Sequence, residues 1–153
     1  MIKFFNLKQV NLNYQKKLEN SIKKTIKSGM LIYGNECKKF EEEFNNYCGT
    51  KYCIGVGNGL DALSITLRAW KELGKIKNGD EVIVPANTYI ASILPIIQND
   101  LKPVLVEPNN EDFNLHTTHL ENFVSSKTKV LLVVHLYGLL APMKELLSFA
   151  KKN

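Results

Sequence analysis

Short apolar runs, too brief for helices and bounded by turn residues, recur along this chain. Val130-Leu131-Leu132-Val133-Val134 is apolar at every position, and Glu81-Val82-Ile83-Val84 stops abruptly at Pro85. A strand that is apolar on both sides needs cover on both faces, which is the situation of a parallel sheet with helices above and below it. Each crossover between such strands is right-handed. The pattern sets the fold class as α/β, a mainly parallel sheet flanked by helices.

The segments between the runs supply the helices. Residues 14–28 carry Leu18, Ile22 and Ile26 at a spacing of four and stop at Ser28-Gly29, where glycine suits a left-handed cap. Residues 36–47 place Phe40, Phe44 and Tyr47 on one face and end at Gly49. Tyr52–Val56 reads as a short buried strand, Gly57-Asn58-Gly59 as a turn, and Leu60–Leu73 as a helix with Leu60, Leu63, Leu67 and Trp70 along one side. After Asn78-Gly79-Asp80 and the strand Glu81–Val84, residues Thr88–Gln98 read as an apolar helix bent at Pro95. Pro103–Glu107 is a third strand, and Asn109–His116 a polar loop. The capping-box spacing Thr118-x-x-Glu121 opens a short helix through Val124. Lys129–His135 is a fourth strand and Met143–Lys152 a last helix.

Composition narrows the partners. The net charge of +5 comes mostly from scattered lysines, and the one arginine, Arg68, lies inside a helical pattern. Nucleic-acid binders concentrate arginine and aromatic residues in a basic stripe, so nucleic acid is not an expected partner. No apolar run approaches the ~20 residues of a membrane span, and the start lacks the apolar core and small-residue cleavage site of a signal peptide. A cytoplasmic chain with no membrane partner is the expectation. Cys37, Cys48 and Cys53 fit neither a C-x-x-C pair nor a zinc site. His116 and His119 are three apart with no third ligand nearby, so no metal is expected.

Three segments at strand carboxyl ends are candidates for chemistry. The first is the glycine turn. Gly55, Gly57 and Gly59 miss the dinucleotide fingerprint because position 60 is Leu, and no G-K-[ST] follows. Two readings remain: an anion site made by unpaired amides at a helix start, or a plain strand-to-helix turn. The second is Pro85-Ala86-Asn87-Thr88-Tyr89, where Tyr89 either stacks on a flat ring or packs at a helix start. The third is Val134-His135-Leu136-Tyr137-Gly138. In α/β proteins this sheet edge is where ligands bind. None of the three supplies a nucleophile or an acid–base pair.

In order, these segments resemble the DegT/DnrJ/EryC1/StrS family of pyridoxal-phosphate (PLP) sugar aminotransferases. The resemblance runs from about Gly29 to the last residue and rests on Ser28-Gly29 followed by Tyr33-Gly34, Lys39-Phe40-Glu41-Glu42-Glu43-Phe44, Tyr47-Cys48-Gly49-Thr50-Lys51-Tyr52, Gly57-Asn58-Gly59-Leu60-Asp61-Ala62-Leu63, Gly79–Pro85, Asn87-Thr88-Tyr89 and Val134–Gly138. The forms Gly59–Leu63 and Ala86–Tyr89 look most like the branch acting on dTDP-linked 3-keto-6-deoxyhexoses. The resemblance implies the front part of a fold-type-I PLP-transferase large domain over residues 1–153, with 1–28 as an N-terminal helical segment and the rest of the large domain and a small domain lacking. It implies that the amides of Gly59 and Leu60 hold the PLP phosphate and that Tyr89 stacks on the pyridine ring. Tyr33, Gly34, Asn87, Thr88, His135 and Tyr137 are implied only to lie near the substrate, a nucleotide-linked sugar. The complete enzyme is expected to be a homodimer.

In the family an Asp pairs with the pyridine nitrogen, a Ser holds the phosphate and a Lys forms the imine; all three would lie beyond Asn153. PLP chemistry requires the Lys and the Asp, so this chain is not expected to transaminate alone, and no catalytic residue is assigned to it. In the family fold later strands separate Tyr52–Val56 from Val82–Val84, which leaves open sheet edges. A chain that is poorly stable, or folded only with a complementary piece, is therefore expected. Three alternatives stay open: a sugar dehydratase of the same family, a non-catalytic product acting by association, and a small nucleotide-binding module.

Overall fold

The structure is a computed structural model that describes residues 4–118 and 120–153, so His119 of the histidine pair lies outside the described residues. The chain divides after Gly55 into two compact units.

The first unit holds two helices. Helix α1 (Leu7–Ser28) is longer than its apolar spacing implies, because Asn6 caps it: the Asn6 side chain accepts from the Gln9 amide. Gly29, at φ 68°, ends it. The stripe Leu18, Ile22, Ile26 is present but exposed, and α1 buries none of its residues. Helix α2 (Asn35–Cys48) ends at Gly49 in the left-handed region. Phe40 and Phe44 stack along it with ring centroids 5.5 Å apart.

The second unit is a three-layer sandwich. Helix α3 (Gly59–Glu72) leads to strand β1 (Glu81–Pro85), short helix α4 (Leu94–Gln98), strand β2 (Lys102–Val106), strand β3 (Thr128–Leu131) and helix α5 (Met143–Lys152). The sheet order is β2-β1-β3 and both pairings are parallel. All five residues of β1 are buried. Its alternation sorts the core. Val82 and Val84 pack with Leu67, Ile76, Ile96 and Leu101 on one face, and Ile83 packs with Val106, Leu115, Leu120 and Leu146 on the other.

Five expectations change. Tyr52–Val56 is neither a strand nor buried: it has no ladder partner, and Tyr52 and Ile54 are 74% and 76% exposed. An extended run becomes a strand only when a neighbour takes its backbone groups. The helix expected over Thr88–Gln98 is split into a 3₁₀ turn at Ile90–Ser92 and α4. Pro95 does not bend that helix; it sits in the first turn of α4, where its missing N–H is harmless. The helix expected from Thr118 is a 3₁₀ turn over Leu120–Phe123. The fourth strand is shorter than Lys129–His135. Leu132 N–H still donates to Ile83 O at 2.8 Å, but the next donor on that side of β1 falls at Pro85, which has none. The ladder ends there.

Candidate functional site

The start of α3 leaves two amides open. A helix cannot pair its first N–H groups internally. Asn58, the N-cap, covers the third: its Oδ1 accepts from Asp61 N at 2.9 Å. Ala62 N–H makes the first helical bond, to Asn58 O at 3.1 Å. Gly59 and Leu60 are the positions left over, and a Cβ at Gly59 would meet nothing within 4 Å. The helix dipole adds partial positive charge here. Asp61 places a carboxylate in the same turn, where it receives the Asn58 side-chain amide at 3.1 Å. Gly57 is required for a different reason. A Cβ there would lie 2.6 Å from Asp61 Oδ2.

The carboxyl end of β1 supplies the opposite wall. Ala86 N–H donates to Val106 O at 2.8 Å, which carries the chain off the sheet in a defined direction. Thr88 and Ser92 share a hydroxyl–hydroxyl bond at 2.8 Å, and Ser92 N–H donates to Tyr89 O at 2.9 Å. These bonds hold Tyr89 at the start of the 3₁₀ turn with its side chain 76% exposed. Asn58, Gly59, Leu60 and Leu63 then face Tyr89 and Ser92 across a groove of about 650 Å³. The three residues assigned to the cofactor therefore line one groove.

The remaining candidates lie elsewhere. Asn87 is on the adjoining loop, its Nδ2 donating to Phe113 O at 3.0 Å. His135 and Tyr137 follow β3 and do not line the groove. His135 Nδ1 accepts from Ala141 N–H at 3.2 Å, which leaves Nε2 to carry the proton of the neutral ring. Tyr137 is 94% exposed, with φ at 54°. Tyr33 and Gly34 belong to the first unit, where they line a separate groove of about 290 Å³ with Lys24, Met30 and Lys39. Gly34 is buried, and a Cβ there would come 2.5 Å from the Met30 carbonyl oxygen.

Sequence reading missed two residues that shape the site. The capping role of Asn58 was detectable, because Asn-x-x-Asp before an apolar helix is a start signal. Asn114 gave no such signal. It lies in a polar loop, yet it is 1% exposed. Beside it, the His116 ring and the Asn114 amide hydrogen-bond to Asp112 and hold that carboxyl below its ordinary range.

Comparison with known proteins identifies the family. The DegT/DnrJ/EryC1/StrS aminotransferase family matches residues 13–153. The dTDP-3-amino-3,6-dideoxy-alpha-D-galactopyranose transaminase of Aneurinibacillus thermoaerophilus is 48% identical over 99% of this chain and 41% of its own length. The structure of DesV from S. venezuelae, in complex with a ketimine intermediate, matches with a TM-score of 0.90 at 38% identity, over 99% of this chain and 40% of that one. The E. coli GDP-4-keto-6-deoxy-D-mannose-3-dehydratase with bound hydrated PLP matches with a TM-score of 0.81 at 27% identity, over 87% of this chain and 33% of that one. The chain thus spans about two fifths of the length of the first two relatives. With 141 consecutive positions inside the family match (13 through 153), the chain belongs to the DegT/DnrJ/EryC1/StrS aminotransferase family.

Proposed function

We propose that this chain forms one wall of the cofactor site of a PLP-dependent aminotransferase acting on a nucleotide-linked keto-6-deoxy sugar. The observation that carries the reading is the pairing of two open helix-start amides, at Gly59 and Leu60, with the exposed ring of Tyr89 in one groove. The residues fit the cofactor. Backbone amides at a helix start accept a phosphate, and a phenol face accepts a flat heteroaromatic ring. When bound, PLP supplies the electron sink that amino-group transfer requires.

The chain's own residues bind and orient. Gly59 and Leu60 donate to the phosphate, Asn58 keeps the helix start wound, and Tyr89 covers one face of the ring. Asn87, Thr88, His135 and Tyr137, with Tyr33 and Gly34, belong to the substrate side of the complete enzyme, and the free Nε2–H of His135 is a donor for a sugar or phosphate oxygen. The names of the similar proteins support a dTDP-linked sugar. Glutamate as amino donor, a homodimeric complete enzyme, a cytoplasmic location and a role in surface-polysaccharide or related amino-sugar synthesis complete the reading. Alone, this chain does not transaminate.

The likeness to the E. coli dehydratase favours one second reading. A sugar dehydratase would use the same phosphate and ring contacts and differ at the imine-forming lysine, which the segments resembling the family here do not include.

Titration of the chain with PLP tests the proposal. Weak, reversible binding that inorganic phosphate competes away is expected, with no lysine adduct retained after borohydride reduction and mass spectrometry. Binding unaffected by phosphate, or equal in Gly59→Val and the parent chain, would overturn it.

A further inference from the structure

Two loops leave the carboxyl edge of the sheet, one after β1 with Asn87 and Tyr89, the other after β3 with His135 and Tyr137. Both are tied to one short segment, residues 109–116. Asn114 Oδ1 accepts from Leu136 N–H at 3.1 Å, and Asn114 Nδ2 donates to Leu139 O at 3.2 Å. The two bonds bracket Tyr137 and Gly138, which have φ of 54° and 80°. A tyrosine in the left-handed region is disfavoured and persists only where its surroundings hold it. One position earlier, Phe113 O accepts from Asn87 Nδ2 at 3.0 Å, and Phe113 is itself left-handed at φ 58°.

The segment has means to stay put. Asn109 N–H donates to Asn114 O at 2.9 Å, and Phe113 N–H donates to Asn109 O at 3.0 Å. Asp112 Oδ1 accepts from Asn114 N–H at 3.0 Å. Leu115, fully buried in the core below the sheet, anchors it. A buried carboxamide satisfied on both sides is an expensive group to disturb, because any loop movement strands a donor or an acceptor.

We propose that Asn114 is a positioning residue. Its carboxamide sets the conformation of the Leu136–Leu139 turn, and through the backbone of Phe113 its segment fixes the Asn87 loop, so that the two loops keep a constant spacing at the sheet edge. For the identity of what the loops receive, this rests on the PLP–sugar reading; the geometry of the brace does not.

Hydrogen exchange on the full chain tests it. Asn114→Ala should speed exchange of the Leu136, Gly138 and Leu139 amides by roughly tenfold or more beyond any change at Val82 and Val84. Leu120→Ala, a core truncation on the same face, serves as the control for general loosening. Asn114→Asp is the second variant: it keeps the acceptor for Leu136 and loses the donor to Leu139, so Leu136 should stay protected while the Gly138–Leu139 end opens. Equal acceleration in β1 and the 136–139 turn, or the same pattern in Leu120→Ala, would overturn the proposal. If Asn114→Ala does not fold, the split protection in Asn114→Asp decides alone. PLP affinity, measured alongside, should fall several-fold in Asn114→Ala. A parent chain that binds no PLP while its variants show the exchange pattern would sink the cofactor reading and leave the brace standing.

Discussion

Asn58 and Asp61 close the start of α3 on each other. Asn58 Oδ1 takes the Asp61 amide at 2.9 Å, and Asn58 Nδ2 reaches the Asp61 carboxylate at 3.1 Å. The pair spends the third amide of the helix on itself and leaves the first two outside the cap. Asn58→Ala removes the cap. It should lower stability by about 1 kcal/mol, the usual cost of losing an Asn cap. Because the unwound turn no longer aims Gly59 and Leu60, phosphate and PLP affinity should fall together. Urea melts and a PLP titration of the same preparation check both.

Gly57→Ala acts on the same turn from the other side. The added methyl would lie 2.6 Å from Asp61 Oδ2, so the carboxylate has to leave the Asn58 amide. The expected outcome is destabilisation comparable to Asn58→Ala. Deleting the obstacle should restore part of it: in Gly57→Ala/Asp61→Ala the two effects should fall short of additivity by about 0.5 kcal/mol or more, as residues in contact do. Strict additivity in a double-mutant cycle would mean the clash is relieved by some other route.

How far these features were legible varies with what determines them. Val82, Ile83 and Val84 declare a buried strand because nothing but a two-sided core wants three such residues in a row. Tyr52–Val56 carries the same signal and does not form a strand, because backbone pairing depends on a neighbour that local sequence cannot report. Pro85 was legible as the end of β1; that it also cuts short β3, by withholding a donor across the ladder, becomes visible only with the register known. The glycine turn left an anion site and a plain strand-to-helix turn both open; naming Gly59 and Leu60 as donors, and Tyr89 as a ring contact, needed the family resemblance, since a tyrosine beside a turn has many uses. Asn114 was invisible. Its importance lies in burial under residues more than twenty positions away, and its own neighbours read as loop.

Acidification should weaken the second unit through Glu81. Its carboxylate accepts from Ser125 at 2.6 Å and from Lys102 at 3.0 Å, with Thr128 adding a longer bond. The Ser125 bond foremost, then the Lys102 bond and charge, hold the Glu81 carboxyl below its ordinary value against the opposing effect of burial. A carboxyl depressed in the folded state contributes stability above its unfolded value, about 4.3, and loses it as the pH falls through the folded one. The urea midpoint should therefore drop on the acid side, and Glu81→Gln should flatten that arm of the profile while lowering stability at neutral pH. An unchanged acid arm in Glu81→Gln would assign the pH dependence to other carboxyls, Asp112 first.

The chain should gain stability from a complementary polypeptide. Among the described residues, neither outer edge of the sheet, on β2 or on β3, has a strand beside it, and Val133 and Val134 run on past the end of the β3 ladder. Unpaired edges and uncovered apolar stripes are what a further strand and further helices would satisfy. The exposed Leu18, Ile22 and Ile26 on α1 have the same need. Co-expression with a polypeptide equivalent to the remaining three fifths of a family relative should raise soluble yield and slow exchange at Leu131 and Val133, whose amides alternate with those turned toward β1. It should also convert the weak PLP binding expected of this chain into tight binding with an imine absorbance band. A pure monomer of the 153-residue chain that melts reversibly in one step, with its stability unchanged by the second polypeptide, would contradict this.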